Sequence, residues 1–140
     1  MEQRDIIKDQ IEQAGRVLGK LMTKFLNLDS SANITDEIKA TNQQLKSELD
    51  IDLDKIILFE KNELRDFVEE RNLTEGHLEQ LSEYLFKIGK HKIENNKKES
   101  KAYLSTALEL LEVADDISQM LSLDRVHRKN EIKDLINTDL

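Results

Sequence analysis

The sequence has no cysteine, no proline and no tryptophan, and it has only four glycines among 140 residues. The absence of cysteine excludes a disulfide scaffold, a cysteine-ligated iron–sulfur cluster and a cysteine nucleophile. Three histidines without any cysteine also disfavour a structural zinc site. Because proline and glycine interrupt helices, a chain this poor in both is expected to be mostly helical.

What the chain does contain is enough apolar material for one hydrophobic core. Leu, Ile, Val and Phe together make up 42 of the 140 residues. That share is about 30%, whereas chains that stay disordered fall below about 20%. The length is typical of a single domain, so we predict one domain over residues 1–140.

The overall charge is acidic, with a formal net value of -8. Most of the excess lies in residues 29–72, and no segment forms the basic face that nucleic-acid binding requires. No apolar run approaches the roughly 18 residues of a membrane span. The opening Met-Glu-Gln-Arg-Asp is too acidic for a signal peptide. We therefore expect a cytoplasmic protein that binds neither nucleic acid nor membrane.

A long N-terminal amphipathic helix occupies residues 1–28 and is predicted in detail over residues 4–28. Its apolar positions alternate four and three apart, which is the period of one helical face. These positions are Ile7, Ile11, Ala14, Leu18, Leu21, Phe25 and Leu28. Gly15 and Gly19 lie near this face, although a glycine in a helix interior costs about 1 kcal/mol relative to alanine. Two explanations stay open, namely close packing of another helix of the same chain and the seam of a homodimer.

Three cations form a row beside the same apolar face, namely Arg16, Lys20 and Lys24. A basic amphipathic helix can lie on an anionic membrane or dock an acidic partner. Alternatively, cations near the C-terminus of a helix offset its dipole, and Glu12 pairs with Arg16 four residues on. We favour the second interpretation.

Five further helices are predicted from apolar spacing and capping residues. They span residues 36–49, 53–71, 75–92, 100–121 and 123–137, with Thr35, Thr74 and Ser122 as N-caps and Asn72 as a C-terminal cap. The apolar run at 56–59 could by itself be a buried strand, but Leu64, Phe67 and Val68 restore the helical period. Since short connections make sequential helices antiparallel neighbours, we predict an all-α bundle of about six antiparallel helices.

Part of this pattern resembles a known helical repeat. Small and large residues alternate at positions where two helices would cross, namely Leu85, Ile88, Gly89, Ala107, Leu111 and Ala114. On these residues the segment 78–137 resembles a tetratricopeptide-type hairpin, and its last helix resembles the capping helix of such arrays. The turn is about six residues longer than the family period allows. The resemblance implies a short hairpin array over residues 53–137. The N-terminal helix is also similar to the opening helix of small bacterial all-helical proteins, which implies no mechanism.

The resemblance implies a non-enzymatic scaffold that binds a partner helix or tail in a helical groove. The groove would be lined by the first helix of the hairpin, along Glu83, Phe86 and Lys90. The alternative places Phe86 in the core beside Leu85. Replacement of Phe86 with alanine should leave folding nearly intact in the first case and cost several kcal/mol in the second.

The sequence carries no motif that is typical of catalysis or cofactor binding. It has no glycine-rich phosphate loop, no nucleophile elbow and no HExxH motif. Asp50, Asp52 and Asp54 alternate as in an EF-hand loop, but Lys55 and Lys61 stand where that loop needs glycine and glutamate. We therefore predict no catalytic residue, no cofactor-binding residue and no metal ligand.

Two other function classes stay open as alternatives. A helical-bundle enzyme, or a binder of a metal or small ligand, would need a buried cluster of acids and histidines. Asp124 and His127 provide only one imperfect copy of the Glu-x-x-His spacing of di-metal bundles. A structural protein that forms a homodimer through residues 1–28 is the other alternative.

Overall fold

The computed structural model describes residues 2–26 and 34–139, and these residues form seven α-helices joined by turns. The helices are α1 (Glu2–Leu26), α2 (Ile34–Leu49), α3 (Leu53–Ile56), α4 (Lys61–Glu70), α5 (Glu75–Lys92), α6 (Lys97–Ser118) and α7 (Leu123–Asp139). The predicted all-α fold is therefore confirmed. Within the described ranges no helix is both long and apolar enough to cross a membrane. The last two positions of the predicted first helix, 27 and 28, lie outside those ranges.

The prediction of one helix over residues 53–71 is wrong, because the chain leaves the helix after Ile56. The Asp52 carboxylate caps the short α3 by accepting a hydrogen bond from the Asp54 N–H at 3.1 Å. Glu60 is extended and starts α4, and its N–H donates to the Glu63 carboxylate at 3.1 Å. Two sets of local caps thus divide a segment whose apolar spacing alone indicates a single helix.

The other predicted helix ends have mixed outcomes. Thr74 and Ser122 are confirmed as caps, since each hydroxyl accepts a hydrogen bond from the N–H three residues on, at 3.3 Å. Asn72, the predicted C-terminal cap, follows α4 in a left-handed conformation with φ 55°. Thr35 as a cap is wrong, because it lies inside α2. Asn96 caps α6, which begins three residues earlier than predicted.

The end of α6 also differs from the prediction, which placed it at residue 121. The helix ends at Ser118, and Gln119 adopts a left-handed conformation with φ 54° and ψ 17°. This conformation costs a non-glycine residue roughly 1–2 kcal/mol. Leu121 is consequently exposed, although the apolar spacing predicts it on the buried face.

An antiparallel hairpin of α5 and α6 forms the centre of the core. Ser82 Oγ donates to the Ala107 carbonyl at 2.7 Å, and Ser100 Oγ donates to the Gly89 carbonyl at 2.6 Å. A Cβ added at Gly89 would lie 2.7 Å from the Leu104 side chain, so a larger residue would force the helices apart. Small residues therefore lie at this crossing. A relation to tetratricopeptide repeats stays a prediction.

The remaining helices surround this hairpin. α1 packs on α2 and α5 through Ala14, Leu18, Leu21 and Met22, which are buried. α2 is tied to α5 by the Tyr84 hydroxyl, which donates to Asn42 Oδ1 at 2.7 Å. α7 packs on α6 and places Ile132 in the core.

α4 lies along the C-terminal half of α6 and runs in the same direction. Lys61 Nζ lies 3.4 Å from Glu112, and Arg65 pairs with Asp116, which is four residues further along both helices. This parallel pairing places Leu58, before α4, well away from the C-terminal end of α6.

Candidate interaction site

The expected groove along α5 is covered by α7. Phe86 is 2% exposed, so the expectation that it lines an open groove is wrong, and its alternative place in the core is the observed one. The guanidinium carbon of Arg128 lies 4.3 Å from the ring centroid, and Lys90 Nζ lies 5.1 Å from it. Both distances are typical of cation–π contacts.

The other two residues of the predicted groove have different surroundings. Glu83 is half-buried and pairs with Arg128 of α7 at 2.8 Å and with Lys87 at 3.8 Å. Lys90 is exposed. A role for Glu83, Phe86 and Lys90 in partner binding stays a prediction, and it would require α7 to move.

Gly15 and Gly19 face α5. A Cβ at Gly15 would lie 3.4 Å from His77 Nε2, and one at Gly19 would lie 3.9 Å from Gln80 Nε2. A Cβ would just touch His77 at Gly15 and would make an ordinary contact at Gly19. Neither glycine is required by this packing, so close packing and the homodimer seam both stay predictions.

The basic row beside these glycines projects outward. Arg16, Lys20 and Lys24 are exposed, and Lys24 Nζ lies 4.0 Å from Glu37 of α2. An exposed ion pair at this distance contributes little to stability. The row therefore offers solvated cations on α1, and a membrane role for it stays untested.

His77 is a buried imidazole that links α5 to α1. Its Nδ1 accepts a hydrogen bond from the Thr74 N–H at 3.1 Å, which completes the cap of α5. The ring faces α1, with Nε2 beside Gly15. Burial lowers the pKa of His77, and the Ile11 backbone opposes that shift only in part. The neutral ring is the form that can accept from Thr74.

We expect His77 to make the protein less stable as the solution is acidified. Its pKa is lowered from about 6.5 in the folded state, so the unfolded state binds more protons in this range. The contribution of neutral His77 is complete above pH ~6.5 and is lost as the pH falls toward the folded-state pKa. Urea unfolding between pH 5 and 8 should show a steeper loss for the wild type than for His77→Gln. His91→Gln is the control, and equal slopes for all three proteins would contradict the prediction.

Four large apolar side chains lie exposed where α6 turns into α7. They are Ile117, Met120, Leu121 and Leu123, with 48%, 75%, 82% and 67% of their surface exposed. We call these four residues the turn surface. Single exposed apolar residues are ordinary, but four within seven positions form a patch of the kind that marks interaction sites. The apolar spacing does not indicate this surface, because it predicts Leu121 to be buried.

The turn surface rests on a buried arginine. Arg125, in the first turn of α7, has a side chain that is 5% exposed. Its Nε donates to Asp115 at 2.6 Å, and its Nη1 donates to Glu79 at 2.7 Å and to Glu75 at 3.2 Å. We call Arg125 and these three acids the Arg125 cluster.

The second terminal nitrogen of Arg125 holds the turn itself. Nη2 donates to Ser118 Oγ at 2.7 Å and to the Met120 carbonyl at 3.1 Å. Lys129 also donates to Asp115. Partial burial opposes ionisation of Asp115, but the bonds from Lys129 and Arg125 outweigh it and lower the pKa of this carboxyl. Asp115 therefore stays ionised beside the two cations, and the bonds of the Arg125 cluster fix α7 to α5 and α6.

A cleft of about 690 Å³ lies elsewhere, between α2 and the turn that joins α5 to α6. Four of its charged side chains pair with one another, Lys46 with Asp52 at 3.8 Å and Lys92 with Glu99 at 3.0 Å. Tyr103 lines it, and burial raises the pKa of its phenol to about 12. The phenol is thus neutral at physiological pH and unsuited to act as a base.

No metal site is apparent in the described part of the chain, where no three or more His, Cys, Asp or Glu side chains are close enough to hold an ion. Asp124 and His127 are both exposed on α7.

No protein-family model matches the chain, and neither a curated protein nor a solved structure is significantly similar to it. Inference about its function therefore depends on the geometry of its own side chains.

Proposed function

We propose that the protein is a non-enzymatic interaction module and that its partner contacts the turn surface. The observation that carries this proposal is the exposure of Ile117, Met120, Leu121 and Leu123 within seven residues. Burial of apolar surface is the main favourable term in protein association. A patch of this kind is costly to leave in water unless something covers it for part of the time.

The support beneath the patch favours binding. Arg125 Nη2 bonds both to Ser118, at the end of α6, and to the Met120 carbonyl. A turn held in this way loses little conformational freedom when a partner binds, so less of the contact energy is spent on ordering it. The predicted groove is a weaker candidate because α7 already covers Phe86. A cytoplasmic location stays a prediction.

The proposal is tested by capture with matched variants. Tagged wild type, a Met120→Gln/Leu121→Gln variant and a Leu58→Gln control are expressed in the source cell, cross-linked there and analysed by mass spectrometry. Leu58 is 78% exposed and lies before α4, so its variant removes one exposed apolar side chain at another place, against two in the turn-surface variant. Circular dichroism checks that all three proteins are folded.

We expect the same proteins with wild type and control, and at least a roughly tenfold loss with the turn-surface variant, which corresponds to about 1.4 kcal/mol of binding free energy. Equal capture of another protein by all three would show that the turn surface is not the site that binds it. The alternative of a small-ligand or metal-dependent role would then take precedence.

A further inference from the structure

The end of α6 conflicts with the sequence around it. The apolar stripe of this helix continues through Ala114 and Ile117 to Leu121 with unbroken four-three spacing. The helix nevertheless stops at Ser118, where Gln119 takes a left-handed conformation that usually requires glycine. The residues of the turn include glutamine, methionine and leucine, which are good helix formers. Local preferences at residues 119–121 therefore favour a continued helix, and Ser122, which caps α7, is the one local signal against it.

Contacts from α7 hold the turn closed. Ser118 Oγ bonds to both the N–H and the carbonyl of Met120 at 3.2 Å, and the Ser122 hydroxyl caps α7. The side-chain bonds that reach the turn from α7 come from Arg125. The turn and the docking of α7 are therefore coupled. When α7 leaves its place, the turn loses the Arg125 bonds, and α6 is free to extend into α7.

The site that α7 leaves would expose groups that need a replacement. Glu79 and Asp115 would lose the partner that neutralises them, Glu83 would lose Arg128, and Phe86 would lose its cover. A second α7 of the same sequence restores each of these contacts in the same geometry. A segment of other sequence would need two arginines three residues apart and an apolar residue in place of Ile132.

From this we infer that the partner of the turn surface is a second copy of the chain, and that the two copies exchange α7. In the exchanged dimer α6 and α7 form one helix through residues 119–122. The two connecting helices cross at the two-fold axis, where the turn surface of one copy faces that of the other. Such a contact is self-complementary, as dimer symmetry requires. This inference rests on the proposed function and names its partner.

The absence of cysteine allows a direct test of the exchange. Arg128 Nη2 of α7 lies 2.8 Å from Glu83 Oε2 of α5, so these two side chains face each other. Cysteines at the two positions can therefore be joined by a short bismaleimide. Single variants Glu83→Cys and Arg128→Cys are mixed, unfolded, refolded together and cross-linked. Exchange predicts covalent dimers that contain one chain of each variant, because α7 of one copy then lies on α5 of the other.

A second pair serves as the control. Arg65→Cys and Asp116→Cys mark α4 and α6, which stay together in the same chain whether or not α7 is exchanged. Mixed single variants of this pair should give no selective dimer. A chain that carries both cysteines of this pair should give a cross-linked monomer.

Light scattering over a dilution series supplies a measurement that does not depend on cysteine variants. The wild type should dissociate from dimer to monomer as it is diluted. Gln119→Gly relieves the strain of the closed turn and so favours the monomer, and its dimer should dissociate at a roughly tenfold higher concentration or above. Met120→Gln/Leu121→Gln should also weaken the dimer.

Two outcomes would overturn the exchange. One is a monomer at every concentration, with the 83–128 cross-link formed only inside a chain that carries both Glu83→Cys and Arg128→Cys. The other is a dimer whose 83–128 cross-link stays within each chain. Neither outcome removes the proposed function, since loss of captured proteins from the turn-surface variant would still place a different partner there.

Discussion

Replacement of Phe86 with alanine is expected to lower the free energy of unfolding by about 3–4 kcal/mol. The phenyl ring is 2% exposed, and its removal leaves a cavity between α5 and α7. The cations of Arg128 and Lys90 also lose the ring face that they contact at 4.3 and 5.1 Å. Urea unfolding followed by circular dichroism at 222 nm, as is usual for helical proteins, measures the change.

Leu58→Ala is the matched control, because this leucine is 78% exposed and removes a side chain of similar character from the surface. Its effect should stay within about 0.5 kcal/mol. If Phe86→Ala were equally mild, the ring would not be covered in solution. The groove implied by the tetratricopeptide resemblance would then be open, and a partner helix could bind along Glu83, Phe86 and Lys90.

Features that depend on contacts within a few residues could be predicted from the sequence. Thr74 and Ser122 cap their helices through bonds to the N–H three residues on, which is information that a short sequence window holds. The break in the predicted helix 53–71 also has local causes, namely the Asp52 cap and the bond from Glu60 to Glu63. The apolar spacing continues across the break, so by itself it indicates one helix where these caps start two.

The burial of Phe86 shows a second limit. Tyr84, Leu85 and Phe86 are consecutive and all buried, so α5 is surrounded on most sides. A helical period assumes one buried face and one exposed face, and it therefore misassigns a central helix. Gly89 could be recognised because a glycine kept inside a helix indicates close packing, and Leu104 is the residue that approaches it.

The candidate site was harder to predict because its residues are distant in the chain. Arg125 bonds to Glu75, which is 50 residues away, and to Glu79, which is 46 residues away. One local signal was available. A cation in the first turn of a helix is unfavourable for the helix dipole, so an arginine at that position indicates a compensating contact.

Replacement of Arg125 with methionine is expected to cost about 2–3 kcal/mol. The change leaves Asp115 and Glu79 without their buried cation, and breaking a fully buried ion pair costs about 3–5 kcal/mol. We expect a smaller value because these acids are 32% and 44% exposed and can be hydrated. Lys129 also continues to pair with Asp115. The bonds to Ser118 and Met120 are lost as well, so the turn surface should become less ordered.

Arg128→Met provides the comparison for Arg125→Met, since Arg128 is on the same helix but its side chain is 31% exposed and its pairs are partly hydrated. Its loss should cost about 1 kcal/mol. A double-mutant cycle of Arg125→Met with Asp115→Asn should give a coupling of about 1–2 kcal/mol. A neutral or stabilising Arg125→Met would mean that the desolvation of the guanidinium cancels its attraction to the acids, as happens for some buried ion pairs. In that case the remaining contacts, among them the bonds between Ser118 Oγ and Met120, would have to hold the closed turn against the strain at Gln119. The coupling between the turn and the docking of α7 would then be wrong.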